Sequence, residues 1–190
     1  MFDDPAHVQD DLDLLERLRA TLRSAPRQPG EQRLHVGDGQ QHRIVVPDWE
    51  ALADARPAAG VGFFGQTRAG ADHGPLGLLE DEIVGRAGEL DGLLAYHNAL
   101  LEPGRWANLV VFADTEAVGG LREDVVHESA VALTPAGYVS LRLHRGALAD
   151  GALGEAPFAL ERTLFIDFDE TPPRRWVRTS GSSGSRSGGA

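Results

Sequence analysis

The sequence predicts an α+β fold, and three observations carry that expectation. Two segments place apolar residues at helical spacing: Leu76, Leu79, Ile83, Ala87 and Leu90 in the first, Val118, Leu121, Val125 and Ala132 in the second. Four short runs with strand character, starting near Val61, Leu93, Trp106 and Tyr138, surround and separate them. A turn-forming Glu102-Pro103-Gly104-Arg105 joins the second run to the third. Read in order, the central chain is β-α-β-β-α-β, with an N-terminal helix and hairpin before it and an extra strand after it.

Asp4 before Pro5 is a helix-start signal, because Asp accepts from free N–H groups and Pro suits the first helical position. Val8, Leu12, Leu15, Leu18 and Leu22 then recur at helical spacing, so an amphipathic helix is predicted over about 5–24, ended by Pro26 and Gly30. Arg33 to Val36 and His42 to Val46 alternate and are separated by Gly37-Asp38-Gly39, which suits a hairpin turn. The stretch from Pro47 to Pro57 reads as a connection with one helical turn. Val61 to Gln66 is the first core strand, and the helix opened by Pro75 follows, stopped by Asp91-Gly92. Leu93 to Leu101 and Trp106 to Phe112 form a hairpin. Asp114 or Thr115 caps the second helix, which Thr134-Pro135 should break, and Tyr138 to His144 is a strand with strict alternation. Phe158 to Phe168 alternates again and suggests a strand outside the unit, sharing a sheet with the early hairpin.

Length and composition bound what this chain can do. At 190 residues it suits one full-sized domain with decorations: an extension over 1–57, a core domain over 58–148, a strand extension over 149–179, and a disordered Ser/Gly/Arg/Ala tail over 180–190. With no cysteine there is no disulfide, thiolate zinc site or cysteine nucleophile. A net charge of −11, with every one of the 18 basic residues an arginine, argues against nucleic acid as partner. No apolar stretch approaches the roughly 18 residues of a membrane span, and no signal peptide precedes the first helix, so a cytoplasmic protein is expected. Gly60, Gly62 and Gly65 spell GxGxxG inside a strand rather than after one; they are read as close-packing positions, not as a dinucleotide loop.

The hairpin "GLLAYHNALLEPGRWANLVVFAD" and the segment "HESAVALTPAGYVSLRLHRG", in this element order, resemble the dimeric α/β-barrel superfamily over residues 61–146. That superfamily includes antibiotic-biosynthesis monooxygenase-like domains built on a ferredoxin-like unit. The resemblance implies a homodimer formed through the sheet face free of helices, on which Trp106, Val110 and Phe112 are expected. It also implies a cavity between the sheets. Strand alternation sorts the candidates. On the last strand Val139, Leu141 and Leu143 should meet the helices, leaving Tyr138, Ser140, Arg142 and His144 for the cavity. Trp106 and Asn108 share a face with Val110 and Phe112; on the preceding strand the choice is Tyr96 with Asn98, or His97 with Ala95.

With the first pair inside, Tyr96, Asn98, Trp106, Asn108, Arg142 and His144 make a mixed aromatic and polar pocket. Cofactor-independent oxygenases of this superfamily bind an easily deprotonated aromatic or polyketide-like substrate. By that resemblance Asn98 or Asn108 would hold an enolate oxygen, His144 would act as base, and Trp106, Tyr96 and Arg142 would bind substrate. Haem-degrading relatives bind iron through a histidine of the second helix, which His127 with Trp106 and Asn98 matches in part; a surface or capping role is the simpler one, and neither cofactor nor metal is expected. The alternative to a small-molecule enzyme is a non-catalytic interaction protein whose added elements cover the sheet.

Overall fold

In the computed structural model, residues 5–37, 39–102 and 104–180 are described. The elements in chain order are α1 (Pro5–Ser24), β1 (Gly30–Val36), β2 (Gln40–Val46), α2 (Trp49–Asp54), β3 (Ala58–Thr67), α3 (Gly74–Gly85), a 3₁₀ turn (Ala87–Glu89), β4 (Leu93–Glu102), β5 (Arg105–Phe112), α4 (Thr115–Glu123), α5 (Val125–Gly137), β6 (Tyr138–Leu148), β7 (Ala159–Asp167) and β8 (Arg174–Thr179). The expected cap at Asp4, the turn residues Asp38 and Pro103, and the tail beyond Ser180 lie outside the described residues. The fold is α+β. A single antiparallel sheet runs β1-β2-β4-β5-β3-β6-β7-β8. Its central strands follow the β-α-β-β-α-β order of the sequence, β4 and β5 pair as a hairpin, and β3 lies between β5 and β6. The N-terminal hairpin adds to the β4 edge, whereas β7 adds to the β6 edge. The early hairpin and the late strand therefore share this sheet from opposite sides.

α1 lies across one face. Leu15, Leu18 and Leu22 are fully buried against Ile44, Ala95, Ala99, Ala107, Leu109 and Val111. Fully burying a leucine contributes roughly 1.5–3 kcal/mol, so these three hold the helix down by several kcal/mol before entropy is counted. Glycine lets its neighbours approach: a Cβ on Gly62 would meet Leu15 of α1 at 2.8 Å, and one on Gly60 would meet Phe158, just before β7, at 2.6 Å. The GxGxxG run is thus a packing surface, as expected. Arg19, also fully buried, reaches out of the leucine stripe to the loop after β6, donating to the carbonyls of Ala152, Gly151, Gly154 and Ala156 and pairing with Glu16.

α3, α4 and α5 cover the other face, where Val84, Ala87 and Val118 pack on Val45, Ala59, Leu93, Val110 and Phe112. This corrects an expectation. Val110 and Phe112, expected on an uncovered face that a partner subunit would bury, sit beneath helices, and the opposite face is taken by α1. The physical basis for a dimer through that face is gone.

Two local expectations also change. The second helix is two, because Asp124 is extended and its carboxylate accepts from the Val126 and His127 amides, starting a new helix. Pro135 does not break α5; it lies in the last turn, the missing N–H is lost only near the end, and Thr134 donates to the Ala130 carbonyl. β8 was not anticipated. It is held by Trp176 stacking on Phe165, centroids 5.1 Å apart. Among the described residues no helix is long and apolar enough to cross a membrane.

Candidate functional site

Asn98 and Asn108 stand directly opposite each other on β4 and β5, and Leu100 is opposite Trp106, so the inward choice of Tyr96 with Asn98 puts both on the face that carries Trp106 and Asn108. That face is the one beneath α3, and the opposite face is covered by α1. There the side chains meet a residue the strand pattern did not disclose, Glu80. Asn98 Nδ2 donates to Glu80 Oε1 at 2.6 Å, Asn108 Nδ2 donates to Tyr96 Oη at 2.9 Å, and the Tyr96 hydroxyl hydrogen-bonds to Glu80. The result is a converging chain, Asn108 to Tyr96 to Glu80, with Asn98 as second donor.

Electrostatics set this carboxyl apart. Desolvation pushes the Glu80 pKa above the ordinary glutamate value despite the two donors and the Arg43 guanidinium 3.7 Å away. Arg43 gives little relief because its fork is already committed to Asp81 at 2.6 Å and Glu31 at 2.8 Å. Tyr96 is held well above the usual tyrosine range by burial and by the Glu80 charge. Asn108 Oδ1 is buried without a partner among the described residues. Glu80 opens onto a cleft of about 320 Å³ between α3 and the β1–β2 edge, whose other walls include Arg33, His35, His42, Asn98 and Trp106. Trp106, half-buried, supplies a flat apolar wall. The arrangement can accept a proton from, or donate one to, a polar group of a ligand lying on that indole.

Arg142 and His144 do not join this cluster; the sheet separates them from it. Both project toward α1, where Arg142 makes a two-pronged pair with Asp11, its Nη2 at 2.7 Å from Oδ1 and its Nε on Oδ2. His144 Nε2 donates to Asp11 Oδ2 at 2.8 Å, and its Nδ1 lies 2.8 Å from Thr163 Oγ1. A Thr-His-Asp sequence of hydrogen bonds has the form of a nucleophile relay. Here it has no access, since Asp11 and Thr163 are 2% exposed and His144 is 0%. The expected base at His144 and the substrate contact at Arg142 are corrected accordingly: both belong to a closed network that ties α1 to β6. A signal existed in the sequence. Asp11 falls in register with Leu15, Leu18 and Leu22, a carboxylate on an apolar stripe.

His97, the residue of the alternative inward pair, faces α1 and lies 2.8 Å from His42. Burial first, then the His42 ring, lowers its pKa to about 3. His127 opens α5, where burial lowers its pKa and Asp124 accepts from its backbone amide. Nothing matches the chain in comparisons with family models, curated proteins and solved structures.

Proposed function

We propose that the protein binds a small aromatic molecule bearing a hydroxyl or amine in the Glu80 cleft, on a central unit of ferredoxin-like type. One observation carries this reading: a desolvated carboxyl with a raised pKa, supplied with two side-chain donors, faces a cleft walled by a tryptophan. The strand order β4-β5-β3-β6, with helices between β3 and β4 and between β5 and β6, supports the ferredoxin-like reading of the unit. A phenol or enol laid on Trp106 donates to Glu80, and once deprotonated it accepts from the protonated carboxyl and from Asn98. Removal of that proton is the step an oxygenase-like activity on an aromatic substrate requires, and Glu80 replaces His144 as its base.

Titration of Trp106 fluorescence with a panel of phenols, quinones and aromatic amines tests the reading, with Trp49 and Trp176 as background. A saturable change is expected in the wild-type protein, lost in Trp106→Ala and shifted in pH dependence by Glu80→Gln. No saturable response to any compound in the panel overturns it. A second reading, a non-catalytic interaction protein, is favoured by the way α1 fills the sheet face on which a barrel cavity would form.

A further inference from the structure

A second concavity of about 220 Å³ lies on the helix-bearing face, far from the Glu80 cleft. It spans β3, β6 and β7 beside α4, and Val61, Thr115, Val118, Arg145, Glu161 and Arg162 line it. Arg145 and Arg162 stand directly opposite on neighbouring strands. Like charges in that position repel. Arg122 of α4, exposed and outside the lining, is a more distant positive charge; burial is the first cause that lowers the Arg145 pKa, and Arg122 and Arg162 lower it further.

The partners of the other arginines make this cluster distinctive. Arg19, Arg23, Arg43, Arg68, Arg86 and Arg142 are all at least partly buried, and each pairs with a carboxylate. Arg145 is half-buried as well, and among the described residues it has no carboxylate within ion-pair distance. In a chain with 29 acidic side chains against 18 basic ones, that is not for want of acids. Glu161, the acidic member of the lining, is exposed. A desolvated guanidinium held beside like charges is unfavourable unless an anion completes it.

We propose that this concavity binds a phosphate-type dianion, free or as a small monoester, with Arg145 as the central ligand, Arg162 sharing its charge, and the Thr115 hydroxyl as a neutral donor. A tetrahedral dianion offers enough oxygens to serve more than one guanidinium fork, which a single carboxylate does not. The site is independent of the Glu80 cleft and does not rest on its reading.

Isothermal titration at low ionic strength, with inorganic phosphate in one arm and glycerol 3-phosphate in the other, tests the proposal. Saturable binding is expected, weakened roughly tenfold or more by Arg145→Met and by Arg162→Met, and unchanged by Arg174→Gln or Glu80→Gln. Tighter binding of the ester identifies a phosphorylated metabolite as the ligand class; equal binding identifies free phosphate. Absence of saturable binding in both arms, or equal affinity in Arg145→Met, overturns the proposal. Thermal melting without added anion gives an independent readout. Arg145→Met should melt no lower than wild type, because it removes uncompensated repulsion, and phosphate should raise the melting temperature of wild type only. A lower melt for the variant means the protein itself satisfies Arg145, and the site falls.

Discussion

On the α1 face of the sheet, Asp11, Arg142, His144 and Thr163 close on one another: the Asp11 carboxylate takes two donors from Arg142 and one from His144, and the other His144 nitrogen meets Thr163. On the helix-bearing face, Glu80, Tyr96, Asn98 and Asn108 form a cluster of similar size that does not close. Glu80 is raised in pKa, Asn108 Oδ1 has no partner among the described residues, and a cleft stands in front. Both clusters mix carboxylate, amide, imidazole or phenol groups of the kind that carry chemistry. What separates them is whether the partners already present satisfy every donor and acceptor. A complete set stabilises the fold; an incomplete one at a cleft leaves capacity for a ligand.

The largest test of that distinction is Asp11→Ala. It removes from a closed site the carboxylate that Arg142 and His144 share, and should cost about 3–5 kcal/mol in chemical denaturation, enough to threaten folding of a marginally stable domain. If the loss is below about 1 kcal/mol, water reaches the network and it is not closed.

Acid should also act first on the α1 face. His97 has a folded-state pKa of about 3, below the ordinary value near 6.5 of an unfolded chain. The unfolded state therefore binds its proton first, and the stability it contributes is present above pH 6.5 and falls progressively toward pH 3. Burial makes the upper limit a few kcal/mol. Urea midpoints measured from pH 7 to pH 4 should fall steeply in wild type and less steeply in His97→Phe; parallel curves would refute the assignment.

On the other face the effects are smaller. Asn98→Ala removes one donor to Glu80, and should cost about 1 kcal/mol while moving the Glu80 titration further up, read by carboxyl NMR chemical shifts. Glu80→Gln should change stability at neutral pH least of all, by about 0.5 kcal/mol or less, since the charge that burial penalises is removed. Its folded-state pKa being raised, ionised Glu80 contributes less stability as pH rises from the ordinary glutamate value through its own. Wild type should therefore lose stability over that window relative to Glu80→Gln. A variant as destabilised as Asp11→Ala would place Glu80 among the closed, structural groups.

Element order was legible because it is written in local periodicity. The stripe Leu15, Leu18 and Leu22, the β4–β5 hairpin and the alternation of β6 depend on neighbours within a few residues. The side of the sheet that each segment covers is not local. Trp106 and His144 fall on opposite faces because Gly65 of β3 lies opposite both Trp106 and Leu141, whereas Gly62 lies opposite His144, a register across three strands that no single strand's alternation discloses, and α1 covers the His144 face. That Tyr96, Asn98, Trp106 and Asn108 share a face was legible because antiparallel register in a hairpin fixes which cross-strand residues lie together. Glu80 escaped notice because a glutamate in a helix is ordinarily solvent-facing, and only the position of α3 over β4 turns it inward. β8 carried no alternation to read, since nearly all of Arg174–Thr179 is exposed and its attachment is the backbone ladder to β7 with Trp176 and Arg178 laid on Phe165.

Arg19 and Asp11 have a further consequence, for the order in which the molecule is made. α1 emerges from the ribosome early, yet the carbonyls that Arg19 holds lie 132 to 137 residues further along, and the partners of Asp11 lie 131 and 133 residues away. A helix with three leucines on one side and a buried arginine and aspartate among them must therefore wait until most of the sheet has been synthesised. Closing so long a loop costs entropy before any contact is gained, which makes α1 docking a slow, late event. Until then its apolar stripe is available to chaperones or to other nascent chains, so a stripe fully buried in the finished molecule is exposed while the chain is being synthesised.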